Sequence, residues 1–350
     1  MSSKVPQAGM SPELLKLSQD IAAYRRENPP ITMESALNYR PDPSSYIAGT
    51  LGFFKRKSTA LFMGPTSQGK TVLAMQMGMQ AACGVPLMGI IPVQGPVKVL
   101  MMECESGMEV ACRNMKAIQK NLGLDKRLLQ KNFRLVDNHK YRDLEVFYFL
   151  QAELNDFAAG WVILDNLQGL MEGNINDNQT FNEFINPITT LIKERDAGLL
   201  LLDHTVKPSK DGTGLSDHDG AYRAAGTSRK ANWARTTFDL AYISNDGRHK
   251  ICLSKSGAWA GLKDEGGKTK THFFVQQSGN AEEPFWALAE SQAAPMKGSK
   301  PKVDLAELEK VMADNPDFTQ QDLADYFGVT RETINRTFGK KRLVLGKRKK

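Results

Sequence analysis

Cysteine is scarce in this chain of 350 residues, and so are long apolar runs and unbalanced charge. The four cysteines (Cys83, Cys104, Cys112, Cys252) include no Cys-x-x-Cys pair, which argues against a zinc site and predicts reduced, buried thiols. No apolar run reaches the length of a membrane span, so no membrane partner is expected. The opening "MSSKVPQAGM" has no apolar stretch behind a basic start. A signal peptide is therefore not expected, and the expected location is cytoplasmic. Net charge is +7, but it is not spread along the chain. The last twelve residues, "GKKRLVLGKRKK", hold seven basic side chains and no acid, and the other 39 basic residues equal the 39 acidic ones. A basic tail of this kind points to a polyanionic partner.

What is present begins with "GPTSQGKT" at 64–71. Ala60, Leu61, Phe62 and Met63 before it read as a buried strand. The run "TVLAMQMGMQAA" after it reads as a largely buried helix. Strand, glycine loop and helix form the setting of a phosphate-binding loop. Its glycines let backbone N–H groups turn inward, and the helix aims its positive end at the same point. Gly64, Pro65, Thr66, Ser67, Gln68, Gly69, Lys70, Thr71 and Val72 are the expected nucleotide contacts. Lys70 supplies a mobile charge for the β- and γ-phosphates, and Thr71 offers a hydroxyl to Mg²⁺. ATP and Mg²⁺ are the expected cofactors.

Three later stretches end apolar runs with polar residues. "WVILDNL" places Asp165 at a strand end, where an acid can hold the hydration shell of Mg²⁺ opposite Thr71. "VKVLMMECESG" ends with Glu103 and Glu105. Hydrolysis needs a carboxylate to orient and polarise water. Glu105 is the expected catalytic acid, with Glu103 a supporting or capping one. "LLLLDHTVK" ends with Asp203 and His204, where a polar residue beside the γ-phosphate can report its presence.

These segments, with "GTSRKANWARTTFDL" and "ICLSKSG", follow one another over about residues 46–290. In that order they resemble the RecA-like ATPases, and among these the plasmid and phage replicative helicases of the RepA type. Such relatives often carry His-His where this chain has Asp203-His204, and adjacent acids where Cys104 separates two here. The resemblance implies a ring, usually a hexamer, with ATP between subunits and single-stranded DNA in the pore. It implies Glu105 as catalytic carboxylate and His204 as sensor. It implies Lys255 and Arg235 as cations reaching the neighbour's ATP, where positive charge stabilises the transferring phosphoryl group. Loops 168–178 and 205–223 would face the pore, the second with Lys207 and Lys210 as DNA contacts. With Tyr222 its one aromatic on offer for stacking, the grip would fall mainly on phosphates.

The expected organisation is an N-terminal helix and connector (1–45), an ATPase domain (46–290), a linker (291–302) and a small helical module with the basic tail (303–350). Ser11 and Pro12 start the first helix, whose stripe of Leu14, Leu17, Ile21 and Ala22 needs a partner, by default its own domain and otherwise a neighbouring subunit. The alternation of apolar runs with helical patterns predicts an α/β fold with a mostly parallel sheet. Short strands after residue 239 extend that sheet. The final module, "TQQDLADYFGVTRETINRTFGKK", has the helix-turn-helix pattern. Its second helix would present Arg331, Thr333, Asn335 and Arg336 to duplex DNA, followed by Lys340, Lys341 and Arg342. The expected function is an ATP-driven DNA helicase or translocase of a plasmid, phage or mobile element. The alternative is a DNA-binding ATPase that regulates or mediates recombination without unwinding. A metabolic phosphate-loop kinase fits the strand-end acids less well.

Overall fold

The computed structural model describes residues 11–27, 29–205, 228–242, 248–279, 283–289, 305–315, 318–327, 331 and 334. In chain order, α1 (Pro12–Glu27) and α2 (Met33–Asn38) precede a small hairpin of β1 (Tyr46–Ala48) and β2 (Phe54–Lys55). The main alternation runs β3 (Thr59–Gly64), α3 (Lys70–Cys83), β4 (Val99–Glu103), α4 (Met108–Leu122), α5 (Lys126–Asn132) and β5 (Phe133–Asp137). It continues through α6 (Leu144–Phe157), β6 (Trp161–Asp165), α7 (Leu167–Leu170), α8 (Asn178–Glu194) and β7 (Gly198–His204). Then come α9 (Ser228–Trp233), β8 (Thr236–Tyr242), β9 (Arg248–Lys255), β10 (His272–Ser278) and β11 (Phe285–Leu288). Helices α10 (Leu305–Asp314) and α11 (Gln320–Tyr326) belong to the final module.

One nine-stranded sheet carries the fold, in the order β11-β10-β9-β8-β3-β7-β6-β4-β5. The pairings from β8 to β5 are parallel. Strands β9, β10 and β11 extend the edge antiparallel to one another, as their hairpin-like spacing predicts. The central strands are apolar throughout because both faces are covered. Along β3, Ala60 and Phe62 pack with α3, while Leu61 and Met63 pack with α6 and α8. The same two-residue alternation holds for Val99 and Met101 against Leu100 and Met102 on β4. The five strands expected between 59 and 202 appear within two residues of their expected ends. Helices α2, α5 and α7 and the β1–β2 hairpin were not anticipated. All are short, and none has a long enough pattern to stand out from a loop.

Parallel pairing brings the strand ends together. Gly64 lies opposite His204, and Glu103 lies opposite both Asp137 and Asp165. All the strand-end polar residues singled out in the sequence therefore meet along one edge of the sheet, the edge from which the glycine loop springs.

The N-terminal helix departs from expectation. Leu14, Leu17 and Ile21 do not pack on the ATPase core but remain about half exposed. The connector after α1 was expected to be extended, but it forms α2 and a 3-10 turn at Pro43–Ser45, and α2 buries none of its residues. The C-terminal module has its own small core of Leu308, Val311, Leu323, Ala324 and Ile334. Thr319 caps α11 in a reciprocal pair with Asp322. Arg331 is exposed and Ile334 buried, the in-and-out arrangement expected of the second helix. Thr333, Asn335, Arg336, Lys340, Lys341 and Arg342 lie outside the described residues, as do Lys207, Lys210 and Tyr222.

Candidate nucleotide site

The loop between β3 and α3 wraps one end of a cavity of 310 Å³. Thr66, Ser67, Gly69, Lys70 and Thr71 line it from the loop, and Glu105, Asp165, Asn166, His204 and Gln277 from the neighbouring strands. Gly69 has a positive φ of 77°, which glycine adopts without strain. A Cβ there would also fall 2.8 Å from the Trp286 ring. Glycine is thus required twice over at the point where the loop becomes a helix.

Lys70 sits in the first turn of α3 and is buried. It was expected as a mobile charge, yet its Nζ donates to the Pro65 carbonyl at 2.7 Å and lies 3.1 Å from His204 Nδ1. Burial lowers its pKa, and the carboxylates of Asp165, Glu105 and Asp203 oppose that shift. On the other side of the ring, His204 Nε2 lies 3.6 Å from Glu105 Oε1 and 3.1 Å from Asn166 Nδ2. Asn166 donates its amide to Glu105 Oε1 and accepts from the Gly169 N–H through Oδ1. The His204 imidazole is the largest influence holding the Glu105 carboxyl below its ordinary pKa, helped by Asn166 and opposed by burial. Glu105 thus faces the cavity ionised and oriented.

Glu103 is placed differently. It is fully buried, and its Oε1 accepts from the backbone N–H groups of Glu105 at 2.8 Å and Ser106 at 2.5 Å. It fastens the turn that displays Glu105 and does not line the cavity. Asp165 is also buried, beside the Thr71 hydroxyl. Burial pushes its pKa up to about 7, with Glu105 and Glu103 adding to the rise and Thr71 opposing it. Its Oδ2 has no hydrogen-bond partner. A buried, unpartnered carboxylate oxygen beside a threonine hydroxyl suits a hard cation with oxygen ligands. Among the described residues no group of three or more His, Cys, Asp or Glu side chains can hold a metal alone. Mg²⁺ needs no such cage, since it is held by one or two protein oxygens together with phosphates and water.

Not every residue expected in the loop faces the cavity. Val72 turns into the core beneath α3. The Gln68 side chain turns outward to His249, its Oε1 lying 2.8 Å from Nε2. Pro65 contributes its carbonyl to Lys70.

Lys255 and Arg235 lie elsewhere in the same subunit. Lys255 pairs with Thr237, and Arg235 precedes Thr236, which pairs with Ala60. Both are at the end of the sheet away from Gly64, roughly 10 Å or more below the loop at about 3.3 Å per strand residue. Lys255 Nζ donates to the carbonyls of Ala231 at 3.0 Å and Ala234 at 2.5 Å. Loop 168–178 is ordered by Asn166, Asp143 and Asp177 caps, and its charged side chains, Glu172 and Asp177, are acidic. That composition gives it no cation for a nucleic-acid phosphate.

Sequence reasoning missed Asn166, Gln277 and Trp286. Asn166 follows Asp165 directly and was legible only as a strand-end neighbour. Gln277 and Trp286 come from the distant β10 and β11, and no local pattern ties them to residue 69.

A phosphate loop on a doubly covered sheet, faced by strand-end acids, defines a nucleotide-binding ATPase with a RecA-like α/β core. The AAA domain family matches residues 23–210, more than half of the chain, and the chain belongs to that family. Residues 317–342 match the family of bacterial regulatory proteins of the crp type, over the helix-turn-helix segment. No curated protein matches the chain in sequence. Among solved structures, the RadB recombinase aligns over 67% of this chain and 92% of its own, at 13% identity and a TM-score of 0.44. Among the described residues no helix is long and apolar enough to cross a membrane.

Proposed function

We propose that the protein is a Mg²⁺-dependent ATP hydrolase that works on DNA as a ring-forming helicase or translocase of a plasmid, phage or mobile element. The observation that carries the reading is the continuous chain Lys70–His204–Asn166–Glu105 along one cavity, beside Thr71 and Asp165. Lys70 and the loop N–H groups bind the phosphates. Thr71 and Asp165 would hold Mg²⁺, which would supply charge neutralisation to the phosphates. Glu105, kept ionised by His204 and Asn166, orients the attacking water. His204, between Lys70 and Glu105, registers the arrival and loss of the γ-phosphate. Lys255 and Arg235, remote from the loop of their own subunit, would serve the site of a neighbour, which favours a closed ring of shared sites.

A second reading is favoured by the crp-type match: a DNA-bound ATPase that regulates or mediates recombination without unwinding. One experiment separates the two. Turnover by the full chain is measured with and without single-stranded DNA, alongside Glu105→Gln. The motor reading expects stimulation by single strands of at least about tenfold, and a loss in Glu105→Gln of about a hundredfold with nucleotide still bound. Turnover indifferent to single strands yet altered by duplex selects the regulator. Full turnover in Glu105→Gln removes the assigned role of that residue.

A further inference from the structure

The helices that cover the sheet are divided by charge. Helices α4 and α5 share the core on the α3 side, and α6 and α8 share the core on the other side. Together α4 and α5 carry Arg113, Lys116, Lys120, Lys126, Arg127 and Lys131 against Glu109 as their one acid. All six cations are exposed. Helices α6 and α8 carry Glu145, Glu153, Asp156, Glu183 and Glu194 against Lys193 as their one base.

Local helix energetics accounts for two of the six cations. Lys120 and Lys131 lie in last turns, where a cation suits the negative end of the helix dipole. Lys120 also pairs with Glu283 at 2.8 Å. The other four have no such reason. Arg113 and Lys116 sit midway along α4. Lys126 and Arg127 open α5, at its positive end, where the dipole disfavours a cation. Among the described residues none of these four forms an ion pair, although Glu109 lies one turn before Arg113. The acid beside them, Asp125, is spent on capping α5, its Oδ1 accepting from the Leu128 N–H at 2.8 Å.

The basic face is also held in shape. The turn from α4 to α5 closes with Leu124 N–H donating to the Gln119 carbonyl at 3.1 Å, and Gln119 Nε2 to the Leu124 carbonyl at 2.9 Å. Asn132 at the end of α5 donates to the Ala82 carbonyl of α3 at 3.0 Å. Arg113 to Lys120 spans roughly 10 Å at 1.5 Å per residue, room for about three successive phosphates of one strand. No Phe, Tyr or Trp occurs between residues 105 and 132. Single strands are gripped by aromatic stacking as well as charge, whereas a duplex backbone asks only for charge. The acidic face of α6 and α8 would repel the same ligand, so the asymmetry fixes which side approaches it.

We propose that the outer face of α4 and α5 is a contact for duplex DNA, with Arg113, Lys116, Lys126 and Arg127 neutralising backbone phosphates. It lies on the ATPase domain, apart from the helix-turn-helix segment, and reads no base. The proposal rests on the reading above that the protein works on DNA.

The test compares the full chain with Arg113→Gln/Lys116→Gln/Lys126→Gln/Arg127→Gln. Affinity for a duplex is measured between about 50 and 200 mM salt. All four positions are exposed and outside the nucleotide site, so Tm and turnover without DNA should hold. The slope of log affinity against log salt should shrink by about two to four, and affinity at the lowest salt should fall about tenfold or more. The α4 pair and the α5 pair, changed separately, should each give part of that loss. Single strands of the same length should lose less than the duplex. An unchanged slope makes the face merely solvated and overturns the proposal. An unchanged slope with an altered assembly mass overturns it too, and assigns the face to the acidic side of a second copy. So does a greater loss on single strands than on duplex. If the unaltered chain binds no duplex at any salt, the reading of a DNA-working protein fails and takes this contact with it; that result is distinct, because there is then no slope to compare.

Discussion

Asp165 shows how a single residue trades stability for chemistry. Its folded pKa, about 7, stands above the ordinary 3.8 because burial disfavours the charge. A raised carboxyl pKa contributes stability that is fully present below the unfolded value and is lost as pH rises through the folded one. In the absence of nucleotide, the Asp165 contribution should therefore fade between about pH 4 and pH 7. Asp165→Asn should flatten that part of the pH profile. At pH 8 it should raise stability by on the order of 2 kcal/mol, while cutting turnover by about a hundredfold. Thermal melts from pH 4 to 8 beside turnover assays check both signs; a variant less stable than the parent at pH 8 contradicts the assignment. The Glu103 and Glu105 pair was legible in the sequence as two acids at one strand end. Their division of labour was not, because a difference of two positions decides whether a carboxylate meets backbone N–H groups or the cavity.

At the scale of elements, the antiparallel edge does more than lengthen the sheet. Trp286 of β11 lies against Gly69 and donates Nε1–H to its carbonyl at 3.2 Å. Gln76 of α3 holds the Trp286 backbone with two bonds of 2.8 Å, and His249 of β9 meets both Gln68 and the Trp286 ring. The phosphate loop is thus clamped from outside by strands more than 170 residues later in the chain. Trp286→Phe keeps an aromatic filler and loses one neutral hydrogen bond worth about 1 kcal/mol. It should weaken ADP binding by roughly fivefold, as measured by titration calorimetry, with only a small fall in Tm. Unchanged affinity would mean that the loop holds its shape without the clamp. The helices and central strands themselves were readable from periodicity, since their apolar patterns are long. The clamp was not, since "FWALA" reads as one more short strand until it is folded beside residue 69.

At the scale of the whole molecule, the separation of Lys255 and Arg235 from the loop of their own subunit makes a prediction about assembly. Lys255→Ala and Glu105→Gln should each be nearly inactive alone. If sites are shared, mixing the two before assembly gives interfaces with an intact Glu105 on one side and an intact Lys255 on the other. Random assembly makes roughly a quarter of interfaces whole, so turnover should reappear at up to about that fraction. Subunits that co-assemble and stay inactive at every mixing ratio would place Lys255 outside the reaction. The exposed apolar stripe of α1 belongs to this scale too. Its sequence marked it as a surface in need of a partner, but a local apolar stripe does not say whether that partner lies within the same domain.

By itself the sequence determined the order of strands and helices, the phosphate loop and the acids at the strand ends, because each of these is written in a local pattern of spacing and hydropathy. It also determined the helix-turn-helix segment and the concentration of charge in the tail. Only the tertiary structure decided which strand ends adjoin, because parallel neighbours are set by crossover connections and not by adjacency in the chain. That choice brings Asp165 to Thr71, His204 between Lys70 and Glu105, and Trp286 against Gly69. It also sends Lys255 to the opposite end of the sheet.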